Sequence, residues 1–387
     1  MKFASILLAA AATIATSAHA AGNTQSGTFG GSSWTATNNI IGRTSTATPA
    51  GGGDPIYFAQ DPKYRGTVGM LMDYGPEIGR FVCSGSLLND RRSVLTAAHC
   101  VSNGAGTPNP ISTTIFFFDG DPSTNVYAGG PNVRTLPVTK YAVNPAYTGE
   151  VIDQNDIAVL TLPFIVPESY GNSYDFDRAS DLTGVDFNIA GYGARSDVGG
   201  DVGRNLGTGR LRQGDNRYDF RLGDDDFDGF FTDADATGEK FFGTADVEFS
   251  YLYDLDNGVE TLDNGVEVND ASCRLAVLGL GIERSDKYCD LGRGPTEAAS
   301  SGGDSGGPQF VDGVIASVTS YGLSFGEFFG DIDGALNSSF GEFSGVVPTA
   351  IHTDFIEAQL QVPAPAALGL FGLGFGVLAL RRRRKAA

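Results

Sequence analysis

Basic residues are scarce in this sequence. Its 387 residues include 26 Lys and Arg against 46 Asp and Glu, a formal charge of −20. A chain so acidic has no broad basic face with which to hold nucleic acid, and the surplus of acid favours solubility outside the cell. Cysteine is sparse as well. Four Cys in an exported chain point to two disulfides, not to a metal site or a redox pair. Histidine is scarcer still, at three residues, so any chemistry that needs an imidazole has few places to go. Long helical periodicity is nearly absent.

Short apolar runs take its place, separated by Gly, Asn, Asp and Pro: RGTVGMLMDY, RFVCSGSLL, SVLTAA, TTIFFFDG, DIAVLTLPF, DFNIAGYG and GVIASVTSYG. Strands bounded by turns at such intervals make an all-β sandwich or barrel. One helix is expected, in PTAIHTDFIEAQL, with Ala350, Ile351, Phe355 and Ile356 on one face and Leu360 extending it. Residues 195–270 differ from the rest. They are rich in Asp and Gly, repeat LDNGVE at 255 and 262, and read as an acidic insertion. The doubling is too short for a solenoid and fits a hairpin or a pair of turns.

Both ends carry addresses. Residues 1–20 combine Lys2, an apolar run and Ala18-His19-Ala20, the three parts of a secretory signal peptide. Cleavage after Ala20 removes His19 and leaves His99 and His352. Residues 362–387 hold Pro363 and Pro365, an apolar stretch from Ala366 to Leu380, then four Arg and a Lys. The stretch is short beside the ~20 residues of an ordinary spanning helix, but with little tilt it crosses a bilayer and keeps its basic end on the cytoplasmic side. This tail resembles a PEP-CTERM sorting signal, with Ala364 where the usual motif has Glu. The resemblance implies a Gram-negative bacterium, transient membrane anchoring, cutting by an exosortase-type transpeptidase, and a final place in the cell envelope or extracellular matrix.

SSGGDSGGP, residues 300–308, presents Ser305 in a glycine-rich loop. A nucleophilic Ser needs a base. His99, in SVLTAAHC, ends a β-rich run between small residues, whereas His352 begins the expected helix, where a surface role is favoured. A carboxylate must then hold the imidazole. Asp156 abuts the apolar run of QNDIAVLTL, where it needs partners; an Asp capping a turn before a strand accounts for it equally well.

In the order His, Asp, Ser, these strings resemble the chymotrypsin-like, trypsin-family serine peptidases, on TAAHC at 96–100, NDIAVLTL at 155–162, AGYG at 190–193, GDSGGP at 303–308 and SYG at 320–322. The resemblance implies two antiparallel six-stranded β-barrels with a C-terminal helix and an acidic insertion, spanning residues 40–361. Ser305 is then the nucleophile, His99 the base and Asp156 its orienting carboxylate, with the Gly303 and Ser305 amides as oxyanion hole. Cys83 bridges Cys100, and Cys273 bridges Cys289; Ser301 stands where the family has a further half-cystine. Ala299 is the pocket base, with walls from Ser320, Tyr321 and Gly322, and Ser320 steadies Asp156. An uncharged base implies a small or apolar P1 side chain. Asp304 pairs with a new N-terminus after activation, for which Ile40 is nominated, leaving residues 21–39 as a short propeptide. Arg43 replaces a family Gly, and Asn39 rather than Arg or Lys precedes the cut.

No cofactor is implied. Asp224, Asp226, Asp228 and Gly229 match the start of an EF-hand-like calcium loop. Asp235 in place of Glu at the twelfth position, without helical flanks, favours a solvated acidic loop instead. Two functional readings stand: an exported serine endopeptidase acting on proteins or peptides, and a catalytically silent peptidase-like binding or matrix module.

Overall fold

The computed structural model describes residues 19–20, 24–29, 32–37, 40–60, 62–104, 109–178, 181–263 and 265–360. The signal peptide (apart from residues 19 and 20) and the tail at 362–387 lie outside the described residues. Among the described residues no helix is long and apolar enough to cross a membrane.

An N-terminal hairpin, β1 (Gln25–Phe29) and β2 (Ser32–Thr37), comes first. Seven strands follow: β3 (Thr67–Asp73), β4 (Arg80–Leu87), β5 (Ser93–Thr96), β6 (Ser112–Phe118), β7 (Val133–Pro137), β8 (Lys140–Val143) and β9 (Ala158–Thr161). They pair in the order β8-β9-β5-β4-β3-β6-β7. The two end strands are consecutive in the chain. Only Val138 and Thr139 separate them, and their amides still donate to Thr113 and Thr161 on the two edges. One broken strand therefore joins both edges, and the sheet curls into a barrel of six strand-lengths.

A second set does the same: β10 (Asp186–Gly191), β11 (Arg212–Arg217), β12 (Phe220–Arg221), β13 (Tyr251–Asp254), β14 (Pro308–Val311), β15 (Val314–Ser324) and β16 (Phe343–Pro348). Their order is β11-β10-β14-β15-β16-β13-β12, and Tyr218 and Asp219 interrupt the strand that joins the edges. This is the all-β, chymotrypsin-like double barrel. The acidic stretch at 195–270 is not one outgrowth, because it supplies β11, β12 and β13 of the second barrel. The doubled LDNGVE forms a small hairpin in its second copy, Leu262–Asp263 against Val266–Glu267.

Alternation explains the cores. Val68, Met70 and Met72 of β3 are fully buried, and Met70 sits opposite Cys83 of β4. Two cystines, Cys83–Cys100 and Cys273–Cys289, tie the barrels' loops. The closing helix, α1 (Thr353–Gln359), follows a tight turn at Ala350–His352. Its buried side is Ile356 with His352, while Ile351 is exposed, because the tight turn rotates Ile351 off the apolar face.

The hairpin adds to the second barrel. β2 pairs antiparallel with the far end of β15, Thr37 opposite Gly322, Ala36 opposite Leu323 and Thr35 opposite Ser324. Trp34 is buried against Phe241 and Phe242, at ring separations of 6.0 and 5.0 Å. Phe29 packs among Phe230, Phe325 and Phe329.

Candidate active site

Strand register brings the first two side chains together. Thr96, the last residue of β5, lies opposite Ala158 at the start of β9. The chain beyond Thr96 and the chain before Ala158 thus run side by side, and His99 meets Asp156. One carboxylate oxygen, Oδ1, accepts the His99 backbone N–H at 2.8 Å; the other, Oδ2, lies 2.7 Å from His99 Nδ1. Ser320 Oγ donates to the same Oδ2 at 2.6 Å. Asp156 is 1% exposed. A buried carboxylate with three donors fixes the ring and leaves Nε2 facing away from it.

Ser305 comes from the second barrel, in the loop before β14. Its carbonyl accepts from Ser84 N at 2.8 Å, and Ser84 Oγ donates to Gly303 O while accepting from Tyr192 N, both at 2.9 Å. Ser84, on β4 of the first barrel, thereby clamps the loop from across the seam. Gly306 (φ 81°) permits the turn, and a methyl group there would overlap Thr96 Oγ1 and the Ser84 carbonyl. Gly303 also has positive φ, 102°. Neither the Gly303 nor the Ser305 amide donates to another described residue. Ser305 Oγ is buried without a hydrogen-bond partner.

The trypsin family model matches residues 59–217, and the PEP-CTERM protein-sorting motif matches residues 361–385. Residues 59–217, which include His99 and Asp156, are thus similar to the trypsin family. No curated protein matches it.

The other positions nominated from the trypsin family resemblance lie around this centre. Asp304 is wholly buried; it accepts from Gly193 N at 2.7 Å and Ser301 N at 3.1 Å, and burial raises its pKa well above the carboxylate range. Ile40 is buried, and both it and Asp304 crowd Gly191, where a side chain would strike the Asp304 carboxylate. Ala299 is buried and pairs with Ile41, so the nominated pocket base pairs with the residue that follows the nominated new N-terminus. The Tyr321 ring packs against Gly345, and its hydroxyl meets Ser250 Oγ at 2.7 Å. Ser300 Oγ reaches Ser344 Oγ at 2.9 Å.

One expectation is corrected. His352 is not at the surface: it is 6% exposed, its Nδ1 accepts from Asn144 Nδ2 at 3.1 Å and its Nε2 donates to Gln154 O at 2.7 Å. Burial holds its pKa below the usual value. The acidic loop is solvated as expected, with Asp225, Asp226, Asp228, Asp233 and Asp235 exposed. Lys287 Nζ sits 2.8 Å from Asp224 Oδ1 and 2.8 Å from Asp226 Oδ2, and Tyr288 OH donates to Asp226. The cation in that loop is the protein's own ammonium.

Ser84 escaped sequence reasoning. Nothing in CSGSL separates it from any other small residue of a buried strand; its role needs the second barrel to be in place.

Proposed function

We propose that the chain is an exported serine endopeptidase that hydrolyses peptide bonds through an acyl-enzyme. His99 Nε2 takes the Ser305 proton as Oγ attacks the scissile carbonyl, then delivers it to the leaving amine. Asp156 stays ionised and stabilises the imidazolium. The Gly303 and Ser305 amides receive the oxyanion; losing one such donor costs about 3 kcal/mol of transition-state stabilisation. The observation that carries the reading is the His99–Asp156 bond, buried and backed by Ser320. Ala299 as pocket base favours a small or apolar P1 side chain.

The described chain is the precursor in this reading. Extended peptides bind by adding a strand to a free sheet edge, and β2 occupies that edge of β15 at Gly322. Residues 21–39 act as the propeptide, and cleavage before Ile40 creates an ammonium for Asp304 and frees the edge. The tail is cut by an exosortase-type enzyme, leaving the peptidase in the envelope or matrix of a Gram-negative bacterium.

The test is labelling of the purified exported protein with a fluorophosphonate, read by intact mass, with Ser305→Ala as control. One adduct, absent from the variant, is expected before and after removal of residues 21–39, with protein hydrolysis only after. No adduct in either form would leave the silent binding module as the better account.

A further inference from the structure

The second barrel buries five carboxylates in one place. Asp219 joins β11 to β12, Asp254 ends β13, Asp256 follows it, Asp270 precedes the turn that holds Cys273, and Glu297 precedes the Ala298–Ala299 strand. None is more than 7% exposed. Carboxylate oxygens of Asp254, Asp256 and Asp270 lie within 4.8 Å of one another.

Backbone and hydroxyl groups satisfy part of the cluster. Asp219 Oδ2 accepts from Asp254 N and Ser272 Oγ, at 3.0 and 2.9 Å. Asp254 Oδ2 accepts from Ser272 N at 2.9 Å and Asp270 Oδ1 from Cys273 N at 2.6 Å. Glu297 accepts from the amides of Arg293 and Asp256. Two groups are left over. Asp270 Oδ2 is buried with no partner, and the Asp256 carboxylate, 5% exposed, accepts from no described residue.

The basic side chains nearby are engaged elsewhere. Arg43 donates to Asn257 O, Arg293 pairs with Asp186, Arg284 with Glu267, and Arg274 with Phe328 O. Among the described residues no Lys, Arg or His side chain pairs with Asp219, Asp254, Asp256, Asp270 or Glu297. Burying several like charges without a counter-charge is among the costliest arrangements a fold can adopt. Burial, then mutual repulsion, pushes the carboxyls of Asp219, Asp256 and Asp270 far above their usual range.

We propose that Asp254, Asp256 and Asp270 form the core of a binding site for one divalent cation of the calcium class. An all-oxygen, all-acidic donor set in irregular geometry suits a hard cation with flexible coordination; with no thiolate or imidazole among the donors, it does not favour zinc or copper. The ion braces the end of β13, the turn carrying Cys273 and the strand bearing Ala299. This site is distinct from the Asp224 loop, whose carboxylates hold Lys287.

The full chain, stripped with EDTA and dialysed, is titrated with CaCl2 by calorimetry while thermal unfolding is followed in parallel. One ion per chain and a saturable rise in Tm are expected. Asp256→Asn and Asp270→Asn should each weaken binding at least about tenfold (1.4 kcal/mol per decade), whereas Asp226→Ala should bind as the parent does. Circular dichroism checks that the variants fold. If Asp256→Asn does not fold, stoichiometry on the parent and on Asp226→Ala decides. No heat and no Tm change in millimolar calcium would overturn the proposal. So would a calcium response lost in Asp226→Ala or retained in both cluster variants.

Discussion

Replacing Ser84 with Ala removes one buried oxygen and strands two partners. The Gly303 carbonyl loses its donor and the Tyr192 amide its acceptor. Ser84 is fully buried, so water does not readily replace it. At about 1–3 kcal/mol for each stranded group, the variant should lose about 2–6 kcal/mol of stability. Gly303 also bears an amide of the nominated oxyanion hole, and a small tilt of its peptide misdirects that donor. Losing such a donor outright costs on the order of 10²-fold in rate, which bounds the kinetic effect. Ser84 is therefore a positioning residue. Urea unfolding measures the first effect, and the second-order rate of fluorophosphonate labelling at Ser305 measures the second, with Ser84→Cys, a weak donor and acceptor of similar size, giving partial rescue. Stability lost with an unchanged labelling rate would refute the claim that this clamp sets the loop. No loss of either would refute the hydrogen bonds themselves.

Other outcomes follow from the same structure. Asp156→Asn should leave the fold intact and lower hydrolysis by roughly 10⁴-fold, as the corresponding change does in the serine-protease triad that serves as the general template; a small drop in kcat would remove Asp156 from the mechanism. Converting Cys273 and Cys289 to Ser opens a loop with a sequence separation of 16 and should cost about 3 kcal/mol in denaturant unfolding. His352 is buried and its folded pKa is depressed. It therefore contributes stability above its unfolded pKa of about 6.5, lost as pH falls through the folded value; a His352→Gln variant should show a flatter acid limb. Glu342 has the opposite sign: burial raises it to about 8, so its contribution is complete below the unfolded value and is lost as pH rises through about 8. Glu342→Gln should flatten that alkaline decline.

Much of the centre could be read from the chain because it depends on short strings that pair locally. TAAHC and NDIAVLTL end and begin neighbouring strands, so His99 and Asp156 meet through register alone. The second barrel was harder to see. Strand β11 reads RQGDNR, with no apolar residue, yet Arg212, Gly214 and Asn216 face inward. The Arg212 guanidinium is buried because it donates to the carbonyls of Thr46, Ala47, Pro122 and Leu211 and stacks over Phe58 at 4.7 Å. A strand whose buried face is polar gives no hydrophobic period. For the same reason the Asp-rich stretch read as an insertion, although it carries Asp219, Asp254, Asp256 and Asp270 inside the second barrel. The strand SSWTAT was legible only as part of a leader segment, because its partner lies nearly 290 residues away along the chain.

That strand pairing changes what a competitor must overcome. A tethered segment acts at an effective concentration on the order of millimolar, whatever the dilution of the protein. A free polypeptide must exceed that to displace β2 from Gly322, and it must also pull Trp34 and Phe29 from their aromatic bed. A small electrophile that needs only Ser305 faces no such contest. The uncut chain is thus expected to be open to small reagents and closed to proteins, a size filter set by the strands Gln25–Phe29 and Ser32–Thr37 and not by the depth of the pocket.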